Sequence, residues 1–179
     1  ALASSSELEE DRKDFRIFIS EKNELLAERN VFLKLVIWEN FIDAMSQTRL
    51  QDEYNKAMQE ADIFVMLFFS KVGKYTLEEF ESAFGHFKEN GRPFVYTYFK
   101  TTGINIDSLD EQDVLSLFNF KRKLAELEHF TSKYPNIDSL KYQFSEQLEK
   151  LLPRLIPSIP TGTSTDPAPS GKTKGAGPR

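Results

Sequence analysis

Two adjacent carboxylates, Glu78 and Glu79, stand near the predicted start of a helix and suit glycosidic chemistry. A carboxylate there can stabilise a developing oxocarbenium cation or hold sugar hydroxyls. Glu79 has a second interpretation, because Thr76 and Glu79 form the pattern T-x-x-E, a capping box in which the glutamate reaches back to a backbone N–H. Spacing alone favours the cap. Glu78 is a competing carboxylate, about 100° around the helix.

Hydroxyl and aromatic side chains follow the predicted strand ends. Ser4 and Ser5 follow the first strand, where a helix N-terminus behind them suits a phosphate. Trp38 follows the second strand, as either an aromatic plate for a ligand or a packing residue. Ser70 ends the third strand, and Tyr75 lies in the loop beyond it. Because ligands of open parallel sheets bind outside the carboxyl ends of the strands, these residues predict a pocket of nucleotide size.

Composition excludes several other kinds of site. The chain has no Cys, so disulfides, thiol nucleophiles and Cys-based metal sites are excluded. Its two histidines, His86 and His129, are far apart in sequence and are interpreted as a surface and a structural residue, so no metal site is expected. A net charge of −5 with mixed signs argues against nucleic-acid binding. Without an apolar run of roughly 20 residues or a signal-peptide pattern, no membrane association is expected, and the predicted location is the cytoplasm.

The elements that must position these residues alternate between strand and helix. Strands are predicted at residues 1–3, 31–38, 62–70, 93–99 and, as a short edge strand, 129–134. Helices are predicted at residues 7–27, about 50–61, 76–90, 108–127 and about 140–155. Three of them carry cap signals, at Ser6–Glu9, Thr76–Glu79 and Ser108–Glu111. The alternation predicts an α/β fold of the flavodoxin-like, three-layer kind, with about five parallel strands in the order 2-1-3-4-5.

The composition changes near the end of the chain. Large apolar residues vanish after Ile159, and Thr, Ser, Gly, Pro and Lys dominate. Such a segment buries too little surface to offset its ordering entropy. We therefore expect an α/β domain over residues 1–157 and a disordered tail or linker over residues 158–179, with a further domain beyond a linker.

Two stretches of the sequence resemble TIR (Toll/interleukin-1 receptor) domains. The apolar run 62–70 that ends in Ser70, a short loop, and the helix with Glu79-Phe80-Glu81-Ser82-Ala83 resemble the family's third strand and its Glu-Leu-x-x-Ala helix. The opening Ala1-Leu2-Ala3-Ser4-Ser5-Ser6-Glu7-Leu8 and Glu9-Glu10-Asp11-Arg12 resemble the start of a bacterial TIR-like subgroup found at the N-terminus of larger proteins. The resemblance covers roughly residues 1–155.

The resemblance implies an activity. Catalytic TIR domains cleave the nicotinamide–ribose bond of NAD, and their essential glutamate matches Glu79. It further implies that Ser4 and Ser5 lie by the ligand and that Trp38 helps to enclose it. NAD would be the substrate, with no separate cofactor. The resemblance also implies homotypic self-association of the domain, which would complete the site between protomers. The implied setting is defence or cell-death signalling.

Two alternatives stay open. The first is a non-catalytic TIR-like module that pairs with other such domains, with Glu79 only as a cap. It is favoured by the absence of the family's Trp-Cys pair, where this chain has Tyr75-Thr76. The second is a nucleoside deoxyribosyltransferase-like enzyme, which also uses a glutamate on a comparable helix.

Overall fold

A computed structural model of the chain describes residues 1–37, 56–104, 107 and 109–157, with the backbone only for Lys74 and Tyr75. The predicted tail, residues 158–179, lies outside this part of the chain. The strands are β1 (Leu2–Ser4), β2 (Ile63–Phe68), β3 (Phe94–Lys100) and β4 (Thr131–Tyr134). A short 3-10 helix (Ser6–Leu8) precedes helix α1, and the helices are α1 (Glu9–Ala27), α2 (Lys74–Asn90), α3 (Glu111–Glu126) and α4 (Ile137–Leu155).

The four strands form one parallel sheet in the order β1-β2-β3-β4. This arrangement confirms the predicted α/β class with a parallel sheet, and the predicted edge strand is present as β4. The strand predicted over residues 31–38 is not formed as such in the described residues. Residues 31–36 are irregular, and Ile37 makes only an isolated parallel bridge to Leu2. The predicted five-strand order is therefore not confirmed.

Side chains alternate between the two faces of the sheet, and each face is covered by its own helices. On β2, Val65 and Leu67 point into one buried cluster, which also holds residues of α1 and α4 such as Phe15 and Phe144. Phe64, Met66 and Phe68 belong to a second cluster with α2 and α3. Burial on both faces explains why β2 reads as a continuous apolar run. The result is a layer of helices on each side of the sheet, compatible with a flavodoxin-like three-layer fold.

The helix starts differ from the predicted capping boxes. Ser6 and Glu9 do not cap α1, because Ser6–Leu8 form a 3-10 turn and no side chain caps either start. The box predicted at Thr76 and Glu79 is also wrong, since α2 begins at Lys74 after the uncapped Gly73. An earlier start puts Thr76 inside the helix and Glu79 in its second turn.

Helix α3, in contrast to α2, begins later than predicted. Its N-cap is Asp110, whose carboxylate accepts hydrogen bonds from the backbone N–H groups of Gln112 (2.8 Å) and Asp113 (3.3 Å). The end of α2 follows the prediction, because Gly91 adopts the left-handed conformation (φ 73°) and its N–H donates to Phe87 O at 2.7 Å. None of the helices in the described ranges has the length and apolar character needed to cross a lipid bilayer.

Candidate functional site

The carboxyl ends of β1 and β2 border a switch in the path of the chain. After β1 the chain enters α1, which packs on the first buried cluster. After β2 it enters α2, which packs on the second cluster, on the opposite face. Such diverging connections leave a crevice between the two strand ends, which is where open parallel sheets bind ligands. We call the residues at this position, Ser4, Ser5, Glu7, Arg12 and Ser70, the crevice cluster.

Hydrogen bonds join the members of the crevice cluster. Arg12 Nη1 donates to Ser4 Oγ at 2.6 Å and to the Ser5 carbonyl at 3.0 Å, so α1 is tied to the end of β1. The Ser5 hydroxyl donates to Glu7 Oε2 at 3.2 Å. The buried Ser70 hydroxyl donates to the other oxygen of Glu7. The structure therefore brings together Ser4, Ser5 and Ser70, as the sequence predicted.

A second polar group lies at the same edge, at the ends of β3 and β4. The Asp11 carboxylate, 7% exposed, accepts from Lys100 Nζ at 2.9 Å and from Tyr134 Oη at 2.8 Å. Burial raises the pKa of Tyr134, and its hydrogen bond to Asp11 raises it further, so the phenol stays protonated. Lys100 Nζ also lies 5.7 Å from the centre of the Phe69 ring, a cation–π contact.

The loop after β2 is anchored to α3 rather than open to solvent. Lys71 Nζ pairs with the Asp113 carboxylate at 3.3 Å. The Val72 N–H donates to Ser116 Oγ at 3.2 Å. Held in this way, the loop fixes the start of α2 relative to the sheet.

Glu79 is a half-buried carboxyl group in the second turn of α2. The residues one turn before and one turn after it, Thr76 and Ala83, are both buried, so Glu79 lies on the half of the helix that packs on the sheet. Burial raises the pKa of Glu79 to about 7, and the neighbouring charge of Glu78 contributes in the same direction. Among the described residues no hydrogen bond or salt bridge is formed with its carboxyl group. Glu79 is therefore not explained as a cap.

The remaining predicted site residues are not placed. Trp38 lies outside the described residues, and of Tyr75 only the backbone is described, as part of α2. No hydrogen bond in the described part of the chain links Glu79 to the crevice cluster.

Five polar residues at this edge were missed from the sequence: Glu7, Asp11, Arg12, Lys100 and Tyr134. Two sequence patterns could have identified three of them, Lys100, Tyr134 and Asp11. Lys100 and Tyr134 end β3 and β4, so the rule that selected Ser4 and Ser70 selects them too. Asp11 precedes Phe15 and Ile19 at four-residue spacing on the buried stripe of α1, where a carboxylate needs a partner.

The two histidines have local roles. His129 Nε2 lies 3.0 Å from Thr97 Oγ1, and its ring packs edge-on against Phe80 and Phe84. Burial lowers the pKa of His129, which fits the predicted structural role. His86 Nδ1 lies 2.9 Å from the Arg92 carbonyl. In residues 1–37, 56–104, 107 and 109–157, no group of three His, Asp or Glu is arranged to hold a metal ion.

A cavity of about 390 Å³ lies away from these groups, at the amino end of β2. Its walls are mainly apolar side chains of α1, α4 and residues 31–36, including Phe15, Ile19, Phe144 and Leu152. Of the predicted site residues whose side chains the structure describes, none lines it. This cavity and the polar edge are therefore at opposite ends of the sheet.

Comparison with known proteins identifies no relative of this chain. No protein-family model matches the sequence, and no curated protein or solved structure is significantly similar to it. A functional interpretation of the chain therefore depends on its own residues: a half-buried glutamate of raised pKa, a crevice lined by hydroxyls, and two cations at the carboxyl edge of a parallel sheet.

Proposed function

We propose that the chain is a TIR-like effector domain that hydrolyses or cyclises NAD at the nicotinamide–ribose bond, with Glu79 as the catalytic carboxylate. The observation that carries this proposal is the environment of Glu79. Its carboxyl group is half-buried, has no hydrogen-bond partner among the described residues, and has a pKa raised to about 7. Perturbed carboxyl groups of this kind are concentrated at functional sites, because an unpaired buried charge lowers stability.

The chemistry assigned to Glu79 is that of a glycosidic carboxylate. The bond between C1′ of ribose and the nicotinamide nitrogen breaks, and its electron pair leaves with neutral nicotinamide. The ionised Glu79 stabilises the oxocarbenium ion that forms. Water then adds to C1′ and loses a proton to the carboxylate. In a cyclase, a nitrogen of the adenine base adds in place of water. A pKa near 7 leaves much of Glu79 ionised at neutral pH and makes its carboxylate a stronger proton acceptor than an ordinary one.

Charged groups at the same edge support a dinucleotide ligand. Arg12 and Lys100 are cations at the ends of β1 and β3 and are suited to the diphosphate. In this proposal the hydroxyls of Ser4, Ser5 and Ser70 exchange their present hydrogen bonds for the sugar and phosphate oxygens of the ligand. Trp38 and Tyr75 are proposed as the aromatic groups that enclose the ligand. In this proposal residues 31–37 serve as the outer strand beside β1, which completes the flavodoxin-like order 2-1-3-4-5.

The proposal is tested by incubating the concentrated domain with NAD and following nicotinamide release. Glu79→Gln keeps the size of the side chain and removes the charge, and we expect it to abolish release. Glu78→Gln is the matched control, because it changes the exposed neighbour on the same turn. Equal loss in both variants, or no release by the parent domain in concentrated or crowded samples, would contradict the assignment.

A second candidate is a non-catalytic module that associates with other TIR-like domains. The observation that favours it is an apolar stripe on the outer face of α3, where Leu115 is 50% and Phe118 is 63% exposed. The two residues are three positions apart and so lie on one face. Self-association through this face predicts a concentration-dependent dimer in analytical ultracentrifugation. Phe118→Ser would then give a monomer that keeps its far-UV circular dichroism spectrum.

A further inference from the structure

The carboxylate of Glu7 bridges the crevice between the ends of β1 and β2. One oxygen accepts from Ser5 at 3.2 Å and the other from Ser70. Glu7 and Ser70 are 63 positions apart in sequence. Glu7 is exposed, and no cation is paired with it in the described part of the chain. Among the described residues, two hydroxyl groups thus hold an accessible carboxylate at the place where this type of sheet binds ligands.

The partners of Glu7 define the ligand chemistry that suits it. An ionised carboxylate only accepts hydrogen bonds, and its bonds from hydroxyl groups are strengthened by its charge. Two neighbouring hydroxyls of a ligand can replace the two serine hydroxyls with no loss in the number of hydrogen bonds. The released Ser5 and Ser70 hydroxyls can then turn toward the same ligand. A vicinal diol presents its two donors at the spacing that a single carboxylate accepts.

We propose that Glu7 is the ribose-binding residue of the crevice, which accepts hydrogen bonds from the 2′ and 3′ hydroxyls and sets a preference for ribonucleotides over deoxyribonucleotides. The inference rests on the proposed function in that the ligand is NAD or a part of it. It assigns Glu7 to ligand recognition and leaves the catalytic step to Glu79. A purely structural role, in which Glu7 only stabilises the start of α1, makes a different prediction about sugar selectivity.

Binding is measured with the full chain in the Glu79→Gln background, so that no ligand is consumed. The probes are nicotinamide mononucleotide and its 2′-deoxyribose counterpart, followed by isothermal titration calorimetry. We expect the Glu79→Gln protein, the parent in this experiment, to bind the ribose form about tenfold more tightly than the deoxyribose form. Glu7→Gln should weaken binding of the ribose form about tenfold and abolish the preference. Ser70→Ala should keep the preference, because the carboxylate remains. Glu10→Gln, a change at an exposed glutamate in the first turn of α1, is the control.

The outcomes separate this inference from the proposed function. A preference for ribose that Glu7→Gln removes supports the inference, whether or not the unmodified domain releases nicotinamide from NAD. Equal weakening of both probes by Glu7→Gln would mean that Glu7 supports the loop rather than the sugar, and would overturn it. A parent that binds both probes equally, or binds neither, would overturn it as well.

Discussion

The Asp11 carboxylate and the Tyr134 hydroxyl, 123 positions apart in sequence, form a buried hydrogen bond of 2.8 Å that ties the first turn of α1 to the end of β4. Lys100 Nζ, 2.9 Å from the same carboxylate, adds the end of β3. Because a buried carboxylate without partners is strongly unfavourable, this arrangement holds the carboxyl edge of the sheet in one geometry. The next residue of α1, Arg12, belongs to the crevice cluster.

Replacing Tyr134 by Phe should destabilise the fold by about 1–2 kcal/mol, because the buried Asp11 carboxylate loses one of its two partners. The change removes one oxygen and leaves the ring in place. Tyr142→Phe is the control, since Tyr142 is 68% exposed. Urea denaturation followed by circular dichroism measures both. Equal midpoints for the two variants would show that the Asp11–Tyr134 bond adds nothing to stability.

Glu79→Gln should stabilise the domain, and increasingly so as the pH rises. The pKa of Glu79 is about 7 in the folded state and ordinarily 4.5. The folded state therefore holds a proton that the unfolded state releases, and this contribution is full below pH 4.5 and lost as the pH rises through 7. The glutamine variant avoids the loss, which at pH 8 amounts to up to about 3 kcal/mol. Free energies of unfolding at pH 5 and 8, with Glu78→Gln beside them, measure the difference. A difference that shrinks as the pH rises would contradict the raised pKa.

If Glu79 acts as an ionised carboxylate, nicotinamide release should follow its titration. The rate is expected to rise with pH and to reach half its maximum near the pKa of Glu79, about 7. Values of kcat/KM between pH 5 and 9 report this group in the free enzyme. A flat or falling profile over this range would assign the chemistry to another group.

Phe80→Ala should cost about 3–5 kcal/mol, because the Phe80 ring is fully buried and packs on three other rings. These belong to Phe84, Phe120 and His129, with centroids 5.4, 5.2 and 5.4 Å away. Phe130→Ala, at a phenylalanine that is 80% exposed, is the matched control and should change stability little. Thermal unfolding of the two variants measures the contrast. Similar losses would mean that α2 does not depend on this aromatic cluster.

Much of the fold is readable from sequence, because β2 is a continuous apolar run and the buried residues of the helices recur at helical spacing. The end of α1 at Ala27 and the edge strand β4 were predicted to within two residues. The helix starts were predicted less well. Ser6 and Thr76 match a capping pattern, but their side chains do not cap a helix. Local spacing carries no information on whether a helix begins two residues earlier.

The sequence predicts those site residues that can be identified from the end of a single strand. Ser4, Ser5 and Ser70 follow from the rule about strand ends, and they do lie together. Their partner Glu7 and the Asp11–Lys100 pair depend on contacts between distant segments, which no local pattern encodes.

The order of the strands also bears on how the chain folds. Strands β2 and β3 are joined by a single helix and pair over about thirty positions, whereas β1 must find β2 across about sixty. Closing the longer loop has the larger entropic cost, and only three residues of β1 repay it. We therefore expect the β2–α2–β3 unit to form before β1 docks. The crevice cluster, which needs both β1 and β2, is then among the last parts of the domain to form and the first to open.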